Sequence, residues 1–208
     1  MKTQRGFGPR WYRERMGKGR FTSWRVAVGE SDLWIGIDSE SASLLDESRV
    51  RQAVHGILIA DRNCILCYGA EHPGFLTSFE PLPEDPLAGR IISGMLKAGK
   101  QAGIGPMGAV AGAVAQSVGQ QLSEIFNLRE IVVENGGDVF MELARDLHMN
   151  IYAGDSPLSG ELGVCVPVAA APLGVCTSAG TVGHSFSRGR ADAVTVSCRD
   201  AALADAWA

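Results

Sequence analysis

Apolar and polar positions recur along this chain at two different periods. Residues 21–28 and 33–38 carry alternating or continuous apolar side chains on either side of Gly29-Glu30-Ser31-Asp32, which predicts a β-hairpin. The spacing then lengthens. Between 42 and 68, Leu45, Val50, Val54, Ile57, Leu58, Ile65 and Leu66 recur near helical intervals, with a break expected around Asp61-Arg62-Asn63 and an end at Glu71-His72-Pro73-Gly74. Pro81-Leu82-Pro83-Glu84-Asp85-Pro86 reads as a stiff connector, and helices are expected over 87–102 and 107–126. The second of these starts rich in alanine, glycine and valine, but its apolar part is too short, and too interrupted by Gln116, Gln120 and Gln121, to be a membrane span. Strands are predicted at 129–134, 139–143, 151–152, 162–168 and 193–198, and a closing helix over 200–207 has Asp200 as its N-cap. This mixture predicts an α+β chain, with a basic arm over 1–20 and a single domain over 21–208.

Composition supports a self-sufficient core, since 46% of the 208 residues are hydrophobic. Cys64, Cys67, Cys165, Cys176 and Cys198 follow no disulfide-scaffold spacing, and no early apolar segment with a cleavage site points to export, so a reducing, cytoplasmic setting is expected. A net charge of −4 argues against general binding of nucleic acid or an anionic membrane. That charge is unevenly placed. Lys2, Arg5, Arg10, Arg13, Arg15, Lys18, Arg20 and Arg25 are accompanied only by Glu14 among the acids of the first 25 residues. Arg10, Arg13 or Arg15 can reach an anionic ligand while Trp11 and Tyr12 stack on a flat ring; the default for such a run is a solvated, mobile arm.

Two glycine-rich segments carry the candidate chemistry. Asn135-Gly136-Gly137-Asp138 sits between the β-branched runs Ile131-Val132-Val133 and Val139-Phe140-Met141, which reads as a tight turn that a ligand can approach closely. Gly174-Val175-Cys176-Thr177-Ser178-Ala179-Gly180-Thr181-Val182-Gly183-His184-Ser185 packs hydroxyls, glycines and a histidine into one loop. Small side chains, free N–H groups and hydroxyl donors suit a phosphate or another anion, so a phosphorylated small molecule is the expected ligand and both segments are expected to line one cleft.

These residues also carry a family resemblance. Asn135-Gly136-Gly137-Asp138 resembles the Asn-Ala-Gly-Gly-Asp turn of the ApbE flavin-transferase superfamily, and Thr177-Ser178-Ala179-Gly180 resembles its Thr-Ser-Gly loop. Pro106-Met107-Gly108-Ala109-Val110-Ala111-Gly112-Ala113 is similar to the superfamily's Asp-Leu-Gly-Gly-Ile-Ala-Lys-Gly helix start, and Ala204-Asp205-Ala206-Trp207-Ala208 to its terminal Ala-Asp-Ala-Leu-Ala. The wording is nearest to the ApbE-like UPF0280 branch, and the match runs from about Phe21 onward. The resemblance implies two lobes of sheets and packed helices around a ligand cleft. It implies FAD or FMN as ligand, held at Gly108, Ala109, Asn135, Gly136, Gly137, Asp138, Thr177, Ser178, Gly180 and Thr181, and magnesium held at Asp205. The activity implied is transfer of the FMN moiety of FAD to a threonine of an acceptor protein.

The departures from the pattern are specific. Gly112 stands where the superfamily carries lysine, which removes a cationic contact but leaves a helix start able to favour anions; close packing explains the same glycine. His184 is followed by Ser185-Phe186-Ser187-Arg188-Gly189-Arg190 rather than by an Asp-Pro segment, and it is read either as a general base or phosphate contact, or as a residue tying down its own loop. The expected metal-site threonine falls beyond Ala208. Cys64-Ile65-Leu66-Cys67 and Cys176 are read as packing residues rather than as redox, metal or nucleophilic groups, and His55, His72 and His148 show no ligand spacing. Two functions therefore stand side by side. One is an FMN transferase with His184 and Asp205 as catalytic residues; the other is a divergent, non-flavinylating relative that binds another anionic metabolite or serves as a partner in anaerobic sulfur-related metabolism.

Overall fold

The computed structural model describes residues 11–17, 19–180 and 189–208. A six-stranded, wholly antiparallel sheet organises them in the order β1-β2-β3-β4-β7-β8. Its strands are β1 (Phe21–Val28), β2 (Ser31–Asp38), β3 (Ile131–Asn135), β4 (Asp138–Glu142), β7 (Leu173–Ser178) and β8 (Val194–Cys198). Strand alternation gives each face its own core. Leu33, Ile35, Ile37, Ile131, Val133 and Phe140 point to the helical side. Trp34, Val132, Val139, Met141 and Val175 point to the other, where a small hairpin of β5 (Leu147–Asn150) and β6 (Gly163–Val166) packs with Val166 buried against them.

The helical layer holds α1 (Ser39–Ser43), α2 (Glu47–Glu71), α3 (Arg90–Ala102), α4 (Val110–Phe126) and α5 (Ala201–Trp207). Side-chain and glycine caps fix the helix ends, Asp200 among them as expected. Asp46 accepts from the Arg49 N–H at the start of α2, and Asp200 accepts from the Leu203 N–H at the start of α5. Gly103 closes α3 in the left-handed region that a glycine adopts without strain.

The α+β class, the first hairpin and most boundaries agree with the sequence pattern, and the differences have local causes. No break occurs at Asp61-Arg62-Asn63, because both charged side chains find places on a continuous helix: Arg62 turns outward to Glu30, while Asp61 turns inward to Ser117 of α4. The strand expected at 151–152 lies earlier, in β5. Half of the second glycine-rich loop is strand β7, paired to β4 and β8. The solvated arm is corrected at Arg13 and Arg20. Arg13 is only 9% exposed and binds Glu134 and Asp32, while Arg20 binds Glu130 at 2.9 Å. Cys64 packs against the core as expected, whereas Cys67, one helical turn on, is exposed. Among the described residues no helix is long and apolar enough to cross a membrane.

Asp61 is an expensive residue at its position. It is 8% exposed, its Oδ2 has no hydrogen-bond partner, and burial pushes its carboxyl up against the opposing effect of the Ser117 hydrogen bond. Because the folded-state pKa lies above the unfolded one, the folded state holds the extra proton, and this group's stabilising contribution is lost as pH rises from the unfolded value toward the folded one. Asp61→Asn should therefore melt higher than the parent at pH 8, with the gap narrowing toward pH 4 in paired thermal scans.

Candidate functional site

Register places the site's first half. Asn135 pairs with Asp138 across a two-residue turn, with φ of 75° at Gly136 and 110° at Gly137, and Asp138 pairs in turn with Cys176 on β7. The Thr177 N–H donates to the Gly137 carbonyl at 3.2 Å, which ties the turn to the end of β7. Asn135 Nδ2 donates to the Ala111 carbonyl at 3.2 Å, tying the same turn to α4. Thr177 Oγ1 lies 3.0 Å from Thr195 Oγ1 on β8, so the hydroxyl edge of the cleft is itself braced.

The second half comes from α5, seated on α4 and β7. Asp205 Oδ2 accepts the Gly112 N–H at 2.8 Å, and the Ala111 N–H also favours its charged form. Close approach requires the glycines. A Cβ on Gly112 would collide with the Ala201 carbonyl oxygen and lie 2.8 Å from Asp205 Cβ; one on Gly174 would lie 2.6 Å from Ala201 Cβ. Gln116 completes the seat by accepting the Ala201 N–H at 2.6 Å. Gly112 is thus both a packing residue and a donor to Asp205, and a lysine in its place has no room on this backbone.

Electrostatics follow from the crowding. Burial pushes the Asp205 carboxyl up to about 7, against the two backbone N–H groups. Asp138 is raised well above the carboxylate range, first by burial and then by the Asp205 charge, while the Cys176 thiol and the Thr177 N–H oppose the shift. Cys176 is wholly buried beside them, its thiol donating to the Ala201 carbonyl at 3.4 Å, and burial with the two carboxylates raises its pKa well above the thiol value. It is inert as a nucleophile in this setting.

A cleft of about 2100 Å³ gathers Gly108, Asn135, Gly136, Gly137, Asp138, Thr177, Ser178, Gly180 and Asp205. Both glycine-rich segments therefore line one cavity. Ala109 does not join them; it is fully buried where the 3-10 turn Pro106–Ala109 enters α4. Thr181 and His184 lie outside the described residues. Glu134, Tyr12 and Tyr152 also line the cleft and were not singled out together from the sequence, because their elements lie far apart along the chain.

A family model described as AbpE bacteria matches residues 13–208. The chain belongs to the UPF0280 branch of the ApbE-like superfamily. A UPF0280 protein of Methanococcus aeolicus is 37% identical over 186 residues, covering 88% of this chain and 71% of the relative. One of Methanothermobacter thermautotrophicus is 38% identical over 189 residues, covering 90% and 68%. Among solved structures, the apo flavinyl transferase ApbE of Pseudomonas stutzeri superposes with a TM-score of 0.59 at 13% identity, covering 90% of this chain and 82% of that one. That likeness establishes the ApbE fold for this UPF0280 chain.

Two predictions come from the seat of α5. Gly112→Ala should lower stability by about 2 kcal/mol or more through overpacking against backbone, whereas Gly94→Ala on α3, where a Cβ meets open space, should raise it by roughly 0.5–1 kcal/mol in denaturant titrations. Asp205 has a folded-state pKa above its unfolded value of 3.8, so stability falls as pH rises from there to about 7. Asp205→Asn should flatten that slope in melting temperatures recorded across the same window.

Proposed function

We propose that this UPF0280 protein binds a phosphorylated flavin nucleotide, FAD or FMN, in the cleft between the Asn135–Asp138 turn and the Thr177–Gly180 segment. The observation that carries this reading is the convergence, in one cleft, of two small-residue turns with Asp138 and Asp205 beside them. The cleft is large enough for a dinucleotide. Backbone N–H groups and the Thr177 and Ser178 hydroxyls are the phosphate donors of this reading.

The donor set suits magnesium. Asp138 and Asp205 are hard oxygen ligands, both raised by burial and Asp138 also by the Asp205 charge, and a divalent cation relieves that crowding. Among the described residues no three His, Cys, Asp or Glu side chains are grouped to hold a metal, so Asp138 and Asp205 would hold the ion without a third such side chain. Bound there, the ion supplies charge neutralisation for a diphosphate. The chain's own part in an FMN transfer is to fix the diphosphate against the Gly136-Gly137 turn and to hold Asp205 through the Gly112 N–H. His184 is the general base of this reading: it takes the proton of an acceptor threonine hydroxyl, whose oxygen bonds to the FMN phosphorus as the diphosphate P–O bond of FAD breaks and AMP leaves.

One observation favours a second reading, in which the protein binds an anionic nucleotide or metabolite without flavinylating an acceptor. The lysine of the superfamily's helix start is replaced by Gly112, whose surroundings are filled by Ala201 and Asp205. The missing cation falls on the catalytic side of the resemblance.

Incubation with FAD, magnesium and a threonine-bearing acceptor separates the two. On the first reading, in-gel flavin fluorescence marks the acceptor, and Asp205→Ala abolishes it. On the second, calorimetry shows magnesium-dependent nucleotide binding while the acceptor stays unmodified. Absence of nucleotide binding in the parent protein would sink both.

A further inference from the structure

On the face of the sheet opposite Asp138, Glu134 is 2% exposed and its carboxylate is shared by three partners from two parts of the chain. Its Oε1 accepts the Gly137 N–H at 2.9 Å, inside the ligand turn, and the Tyr12 hydroxyl at 2.9 Å. Its Oε2 accepts Arg13 Nε at 2.6 Å. The Arg13 guanidinium continues to the Asp32 carbonyl at 2.6 Å and pairs with the Asp32 carboxylate at 3.2 Å, while Arg25 grips that carboxylate with both Nε and Nη2. Two arginines thus balance two fully buried acids. Tyr12 also stacks on Tyr152, with ring centroids 6.1 Å apart and planes 25° from parallel. One short segment therefore reaches the β3–β4 turn through Glu134 and touches the loop between β5 and β6.

We infer that Arg13, assisted by Tyr12, is a positioning residue for the Gly136-Gly137 turn, acting through Glu134. Glycines at positive φ give this turn its shape but leave its backbone the widest choice of conformations. Glu134 removes that choice by binding Gly137, and Arg13, gripping the other carboxylate oxygen, holds Glu134 in the orientation that reaches it. The 3-10 helix Trp11–Arg15 is in this way part of the ligand site.

The test compares Arg13→Met, which keeps the aliphatic length, and Tyr12→Phe, which removes one hydrogen bond, with the parent. Amide hydrogen exchange reads the order of the turn without any ligand. Exchange across 134–138 should accelerate roughly tenfold or more in Arg13→Met and less in Tyr12→Phe, with α3 unchanged. Should Arg13→Met fail to fold, Tyr12→Phe carries the comparison. Unchanged exchange at the turn, or an equal rise throughout the protein, overturns the inference. A calorimetric titration with FAD gives the second arm, which rests on the nucleotide reading above. FAD affinity weakened in step with turn exchange supports positioning, and affinity equal to the parent's despite a loosened turn overturns it. If the parent does not bind FAD while the turn still loosens, the nucleotide reading fails and the positioning role stands.

Discussion

The close seating of α5 at Ala201 is the constraint on which the site depends. Its carbonyl lies where a Gly112 side chain would be, its Cβ where a Gly174 side chain would be, and its N–H is held by Gln116. The Cys176 thiol donates to the same carbonyl. Only with α4 and β7 stripped of side chains at these points can α5 lie low enough for Asp205 to meet the Gly112 N–H and approach Asp138. The small residues are the means by which a helix, a strand and two carboxylates reach one end of the sheet.

The sheet itself divides the labour. Asn135, Asp138 and Cys176 face the helices, and Glu134 and Thr177 face the other way, so a single two-residue turn is controlled from both sides. On the helical side the control is neutral and short-ranged, through Asn135 and the Ala111 carbonyl. On the opposite side it is ionic, through Glu134 and Arg13. On the helical side backbone N–H groups hold Asp205, and burial raises its proton affinity in spite of them.

Much of this was legible in the sequence. Helical periodicity located α2, α3 and α4, the Asp200 cap located α5, and the pair of glycine-rich segments located the cleft. What escaped has a common physical origin. Strand β7 reads as loop because the positions facing α5 must be small, and Gly174 and Cys176 break the β-branched pattern that marks a strand. The burial of Ala109 escaped because motif spacing does not say which residues of a turning backbone point inward. Arg13 and Arg20 read as solvated charge because their acidic partners, Asp32, Glu130 and Glu134, lie in strands remote along the chain. Local pattern reports burial well and reports pairing across the fold poorly.

The two anchors of the cleft are long-range connections: Gly112 to Asp205 spans 93 residues and Arg13 to Glu134 spans 121. Bringing such distant points together costs chain entropy that no neighbouring contact refunds until most of the sheet exists. The cleft cannot therefore mature piecemeal; its geometry is a late product of folding, and an intermediate holding only the α2–α4 helices and the first hairpin would have a hydrophobic core but no binding site.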